Sequence, residues 1–158
     1  MNILKEKKIV IWLNIWSLII FILVFTLGIF ILPAGAAEIT ILNLILFLVS
    51  MFVLFCFHEL IHGTFFKLFA PGSKVKYGMK SGMLYAANPG NTYGKLPFIV
   101  ICIMPFIIIT CLLTIASLFP INAYALYLLF AVHTAGCVGD FYFIGLLNKP
   151  SLKIKTLS

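Results

Sequence analysis

Long apolar runs separated by short polar segments dominate the hydrophobic pattern of this chain. Four of these runs are long enough to cross a bilayer as helices, since about 20 apolar residues span roughly 30 Å of hydrocarbon. The runs cover residues 9–32, 39–70, 96–119 and 121–147. The pattern therefore predicts an all-α membrane protein, a bundle of four transmembrane helices that forms a single integral membrane domain over residues 1–158.

Two segments add detail to this four-helix pattern. Pro105 lies inside the third run, where it removes one backbone hydrogen bond and is expected to kink the helix. The 71–95 loop is rich in glycine, asparagine and lysine, but Met83–Ala87 is a short apolar stretch bounded by turn residues. This stretch predicts a hairpin arm or a re-entrant strand.

The composition excludes most water-soluble enzymes, because 63% of the residues are hydrophobic and only 9% are charged. The formal net charge is +7, and all eleven basic residues are lysines. Arginine is the residue that reads guanine and grips phosphate with two hydrogen bonds, so nucleic-acid binding is not expected. Use of lysine, isoleucine and phenylalanine in place of arginine, alanine and leucine is typical of an AT-rich, bacterial coding sequence.

The lysines predict the orientation in the membrane. They lie at the N-terminus, in the 71–95 loop and in the C-terminal tail, whereas the 33–38 and 119–122 connections carry none. The positive-inside rule therefore places both termini and the long loop in the cytoplasm of a multi-pass cell-membrane protein. The first apolar run has 24 residues, too long for the core of a signal peptide, so it is expected to be a retained helix.

Ionisable residues inside the apolar runs mark the candidate site. Glu59 and Asp140 both fall within predicted spans, where a charge costs about 2.5–3.5 kcal/mol even on a lenient insertion scale. Glu59 belongs to an HExxH pattern over residues 58–62. Histidines four residues apart lie on one helix face and can bind one metal ion. The pattern predicts His58 and His62 as zinc ligands and Glu59 as the general base that acts on a zinc-activated water.

A catalytic zinc site needs a third protein ligand, and the fourth run offers His133, Cys137 and Asp140 on one face. His58 and Asp140 each lie 19 residues into their runs from the predicted outer side, which places them at the same depth. His133 lies about 10 Å nearer the outside. Depth therefore favours Asp140. His133 is predicted to support the ligands or contact the substrate, and the alternatives for it are direct ligation or an ordinary place in the core. Cys137 is a further alternative ligand.

Small residues accompany the site. Gly63 follows the HExxH pattern, and Gly136 and Gly139 precede Asp140. These glycines are expected to permit close approach of helices. The four cysteines show no CxxC spacing, so neither a disulfide framework nor a zinc knuckle is predicted.

An HExxH in one transmembrane helix and an aspartate two spans later resemble the three-helix core of the site-2 protease family of intramembrane metalloproteases. The segments HELIHG, SGMLYAANPG and HTAGCVGD are also similar to a small bacterial family described as "putative zincin peptidases". The resemblance covers about residues 50–147, and it implies His58, His62 and Asp140 as zinc ligands and Glu59 as the catalytic base. In site-2 proteases a strand-like element after the HExxH helix clamps the unwound substrate, which implies the same role for the strand predicted in the loop.

These features predict a zinc metalloendopeptidase that needs Zn²⁺ and lies in the lipid bilayer. It is expected to hydrolyse peptide bonds of membrane-spanning or membrane-associated peptide substrates near the cytoplasmic face. The alternative is a non-catalytic membrane protein whose histidine and aspartate cluster binds a metal structurally or relays ions or protons. In a purely structural alternative, the two histidines only hydrogen-bond at the helix end and Glu59 pairs with Lys67. The sequence specifies no oligomeric state.

Overall fold

The computed structural model describes residues 7–32, 40–80 and 83–147. In chain order the elements are α1 (Lys7–Ile31), α2 (Ile41–Phe69), β1 (Lys76–Lys80), β2 (Met83–Ala87), α3 (Lys95–Ala116), α4 (Ala123–Gly136) and α5 (Val138–Leu146). With α4 and α5 taken as one span, four helical segments are long and apolar enough to cross a membrane. The predicted helical architecture is confirmed, and it indicates a multi-pass membrane protein.

Some of the residues on which the predicted orientation is based lie outside the described part of the chain. They include Lys5, the tail lysines 149, 153 and 155, and the 33–38 connection. The lysines that are described lie at the start of α1, near the end of α2, in the hairpin and at the start of α3. In an up-and-down bundle these positions all lie at one end.

Polar side chains cap two of the helices. The Oγ1 atom of Thr40 accepts a hydrogen bond from the Asn43 backbone N–H at 3.1 Å, which starts α2. The Oδ1 atom of Asn122 accepts one from the Ala125 backbone N–H at 3.0 Å, which starts α4. Each cap satisfies a backbone donor that has no partner within its own helix.

Helix α4 is central in the bundle, because it packs against α1, α2 and α3. Helix α2 also packs against α3, and α5 packs against α3 and α1. The outward faces carry large apolar side chains such as Phe30, which is 86% exposed. Such faces suit contact with lipid tails. The most buried residues include Ile101 on α3, Ala131 on α4 and Cys137 at the junction of α4 and α5.

The fourth span is interrupted at Cys137, whereas the sequence pattern predicts one run over 121–147. The backbone N–H of Cys137 bonds to the His133 carbonyl at 3.1 Å and to the Thr134 carbonyl at 3.3 Å, which tightens the turn. Glycine is a poor helix former, and Gly136 directly precedes the interruption. As a result, Asp140 lies in the first turn of a separate helix, α5.

The loop between α2 and α3 forms an antiparallel hairpin of β1 and β2. Its register runs from Lys76 opposite Ala87 to Lys80 opposite Met83. Of the two conformations that the sequence left open for Met83–Ala87, the hairpin arm is therefore the one adopted. Strand β2 packs against α2, so the hairpin lies beside the helix that carries the HExxH pattern.

The three glycines near the site differ in what they contact. Gly136 fits the prediction of close helix approach, since a Cβ there would lie 2.9 Å from the ring of Phe55 on α2. Gly63 makes room for the hairpin instead of a helix, because a Cβ there would overlap the hydroxyl of Tyr77 on β1. The prediction is wrong for Gly139, where a Cβ would meet no neighbouring atom within 4 Å.

We expect Gly28→Ala to destabilise the bundle. A Cβ at buried Gly28 would overlap the ring of Tyr127, whose hydroxyl donates to the Val24 carbonyl at 2.7 Å and so holds the ring in place. Overpacking of this kind costs about 1–3 kcal/mol. The measurement is the thermal unfolding midpoint in detergent.

Gly145→Ala is the matched control, because nothing lies within 4 Å of a Cβ at Gly145. Its midpoint should equal or exceed that of the wild type, since alanine favours helix. Equal midpoints for the two variants would argue against this contact between α1 and α4.

Candidate metal centre

Two helices bring the predicted ligands together. His58 and His62 lie on one face of α2, and Asp140 reaches them from the first turn of α5. The Nε2 atom of His58 lies 3.1 Å from Oδ2 of Asp140, and Nε2 of His62 lies 3.2 Å from Oδ1. The two Nε2 atoms are 3.1 Å apart. The three side chains are 8%, 9% and 15% exposed, so the cluster is largely buried from solvent.

The chemistry of this cluster fits a zinc ion. The Nδ1–H of His62 donates to the Ile101 carbonyl at 2.9 Å, because a carbonyl can only accept. In the neutral ring, Nε2 of His62 therefore carries a lone pair, and this lone pair faces the Asp140 carboxylate. Ligand atoms about 2.0–2.1 Å from a tetrahedral zinc lie about 3.3 Å from one another, close to the separations found here. His58, His62 and Asp140 can therefore hold one metal ion.

Glu59 lies beside the three candidate ligands. Its carboxylate is close enough to His58, His62 and Asp140 to interact with each electrostatically, and the backbone of Ala86 on β2 lies near it as well. The ion pairs of the described residues join Asp140 to the two histidines and include none between Glu59 and Lys67. The hairpin therefore contacts the HExxH pattern at the glutamate.

A buried asparagine fixes the end of the hairpin on α2. The Nδ2 amide of Asn88 donates to Ser73 Oγ and to Tyr93 Oη, both at 2.6 Å, and Oδ1 accepts from Asn91 at 2.7 Å. The Tyr93 hydroxyl in turn donates to the Phe66 carbonyl at 3.2 Å. Burial raises the pKa of Tyr93 above its usual value. In the sequence, the turn residues Asn88-Pro89-Gly90 indicate only the end of the apolar stretch and do not reveal this network.

His133 and Cys137 lie on the other side of His58. The His133 side chain is fully buried, with its ring centroid 5.7 Å from that of His58 and 6.0 Å from that of Phe106. The Sγ atom of Cys137 lies 3.8 Å from Nε2 of His133. His58, His133 and Cys137 thus form a second group able to hold a metal. Both groups include His58, so His133, Cys137 and Asp140 of the fourth span all lie near this histidine.

The described residues form a helical bundle with an HExxH helix and a candidate metal centre of two histidines and a carboxylate. A family model described as "Putative zincin peptidase" matches residues 51–151. Because this match covers more than half of the chain, the protein belongs to that family. The family description points to a metallopeptidase and, in general terms, to zinc. No curated protein and no solved structure matches the chain.

Metal content distinguishes the two groups. We expect His62→Ala and Asp140→Ala to lose zinc from the detergent-purified protein, with affinity at least about 100-fold weaker, because each removes a converging ligand. His133→Ala and Cys137→Ala are the matched controls and should retain about one zinc per chain. The measurement is elemental analysis together with chelator competition. Zinc lost from the control pair and kept by Asp140→Ala would assign the metal to the second group.

Proposed function

We propose that this protein is a zinc-dependent intramembrane metalloprotease that hydrolyses peptide bonds of membrane-associated substrates near the cytoplasmic face. The observation that carries the proposal is the convergence of His58, His62 and Asp140 with Glu59 at their side. Membership in a family described as zincin peptidases supports the same chemistry. A site with two histidines and a carboxylate suits zinc and leaves room for a water in a fourth position.

In this mechanism residues of the chain bind the metal, orient the general base and move a proton. His58, His62 and Asp140 would hold a zinc ion, which would supply a Lewis acid for the scissile carbonyl and for the attacking water. Glu59 removes a proton from that water as its oxygen attacks the carbonyl carbon. When the carbon–nitrogen bond breaks, Glu59 returns the proton to the leaving amine. The backbone of Ala86 lies near the Glu59 carboxylate, and in this mechanism it helps to orient the carboxylate for both transfers.

The hairpin is proposed to hold the substrate. A transmembrane helix keeps its amides in internal hydrogen bonds, so it must unwind before a scissile bond can be attacked. A strand beside the catalytic glutamate offers backbone groups with which an extended peptide can pair. The resemblance to site-2 proteases implies the same role, and the contact of β2 with Glu59 is the structural support for it.

The proposed orientation follows from the lysines at the hairpin end of the bundle. Lysines lie near the end of α2 (Lys67), in the loop (Lys74 and Lys76) and at the start of α3 (Lys95). His62 lies seven residues, or about 10 Å, before the end of α2 at Phe69. The positive-inside rule places that end in the cytoplasm, so peptide cleavage is expected on the cytoplasmic side of the membrane centre.

We expect Glu59→Gln to abolish cleavage and to keep the metal. The amide has nearly the shape of the carboxylate but cannot accept the proton, and loss of a general base costs about 10²–10⁴-fold in rate. The probe is a panel of quenched single-span peptides in lipid vesicles that contain the purified protein, and zinc content is measured on the same preparation.

A wild type that binds zinc but cleaves none of these peptides would favour the alternative of a structural metal site. Cleavage by Glu59→Gln at the wild-type rate would remove the mechanism. Loss of cleavage upon chelation and its return upon addition of zinc is the matched control for metal dependence.

We expect Asn88→Ala to lower kcat/KM about 10-fold while zinc content stays at the wild-type level. The substitution removes the three hydrogen bonds that join the hairpin end to Ser73, Asn91 and Tyr93, each worth about 1 kcal/mol. Asn122→Ala is the matched control, because it removes the cap of α4 at the other end of the bundle. Equal kinetics in the two variants would argue against a role of the hairpin in substrate binding.

A further inference from the structure

The proline in the interior of α3 lies four residues after the carbonyl that binds His62. In an α-helix the carbonyl of each residue accepts a hydrogen bond from the backbone N–H four residues later. For Ile101 that later residue is Pro105, which has no N–H. The Ile101 carbonyl therefore lacks its helical donor, although α3 continues to Ala116.

The Ile101 carbonyl takes its donor from another helix. It accepts the Nδ1–H of His62 at 2.9 Å. Ile101 is 1% exposed and Pro105 is fully buried, so water cannot readily take the place of this donor. A buried carbonyl without a partner costs about 1–3 kcal/mol. Pro105 and His62 are thus complementary, because Pro105 leaves the Ile101 carbonyl without its helical donor and the His62 ring supplies a donor to it.

We propose that Pro105 is a positioning residue for the metal ligand His62, because it keeps the Ile101 carbonyl free to accept the Nδ1–H of the ring. This inference rests on the metal site of the proposed function and extends it to a residue on α3. With Nδ1 held in this way, Nε2 carries the lone pair and points at Asp140 and at Nε2 of His58. Partners of this kind fix the tautomer and the ring orientation of a metal-binding histidine.

The position of the proline within the helix is what matters for this role. Pro97 lies in the first turn of α3, where a backbone N–H has no acceptor within the helix. Pro105 lies at the one position whose N–H would compete with His62 for the Ile101 carbonyl. A proline that served only to bend α3 would not need to stand four residues after that carbonyl.

The test restores the competing donor. In Pro105→Ala the new backbone N–H can bond to the Ile101 carbonyl and displace the His62 ring. We expect zinc affinity to fall about 10–100-fold, the usual effect of losing such a partner, and the absorption spectrum of the cobalt-substituted protein to change. Pro97→Ala is the matched control and should leave both unchanged. Zinc affinity is measured by chelator competition in detergent.

Replacement of Pro105 by lactic acid separates the missing donor from the shape of the ring. Lactic acid puts an ester oxygen where alanine has its N–H, so it has neither the ring nor the donor. We expect this variant to keep wild-type zinc affinity. The proposal would be overturned if the lactic acid variant lost zinc affinity to the same extent as Pro105→Ala. It would also be overturned if Pro105→Ala kept the zinc affinity and the cobalt spectrum of the wild type.

Nitrogen NMR of ¹⁵N-histidine-labelled protein without metal tests the hydrogen bond independently of activity. The wild type and the lactic acid variant should show His62 protonated at Nδ1, and Pro105→Ala should show a change of tautomer or exchange. Identical histidine spectra in all three would overturn the role of Pro105. A wild type that binds neither zinc nor cobalt would overturn the proposed function, while the NMR comparison would still decide whether Pro105 frees the carbonyl.

Discussion

The carboxylate of Asp140 lies inside a bundle of membrane-spanning helices, where an unpaired charge costs several kcal/mol. Its two oxygens lie 3.1 and 3.2 Å from the Nε2 atoms of His58 and His62. This contact joins α5 to α2 and depends on the interruption at Cys137, which sets Asp140 in the first turn of its own helix. Removal of either partner leaves a buried polar group without its counterpart, so the contact constrains the fold as well as the chemistry.

The elements around this contact each support one residue of the candidate site. Helix α3 supplies the Ile101 carbonyl to the ring of His62. The hairpin approaches Glu59 through the backbone of Ala86, and its end is fixed on α2 by the Asn88 network. His133 fills the space behind His58. The bundle therefore places a carboxylate, a group of candidate metal ligands and a strand close to one helix face, the arrangement on which the proposed peptide hydrolysis depends.

The membrane spans and the HExxH pair could be predicted from the sequence, because apolar length and the four-residue helical repeat are local properties. The equal depth of His58 and Asp140 in their apolar runs was enough to predict that these two residues lie close together across the bundle. Contacts that depend on the path of the backbone could not be predicted. The break at Cys137, the open space at Gly139 and the fit of Tyr77 over Gly63 are examples. Pro105 was visible in the sequence, but the partner of the carbonyl it frees lies 39 residues away on α2.

Zinc K-edge X-ray absorption of the purified protein tests the central claim most directly, since it reports the ligand atoms themselves. The structure predicts nitrogen and oxygen neighbours at about 2.0–2.1 Å with the outer scattering of two imidazole rings, from His58 and His62, and no sulfur. A sulfur neighbour at about 2.3 Å would place the metal at Cys137 instead. Scattering from three imidazoles, or no bound zinc at all, would contradict the ligand set of His58, His62 and Asp140.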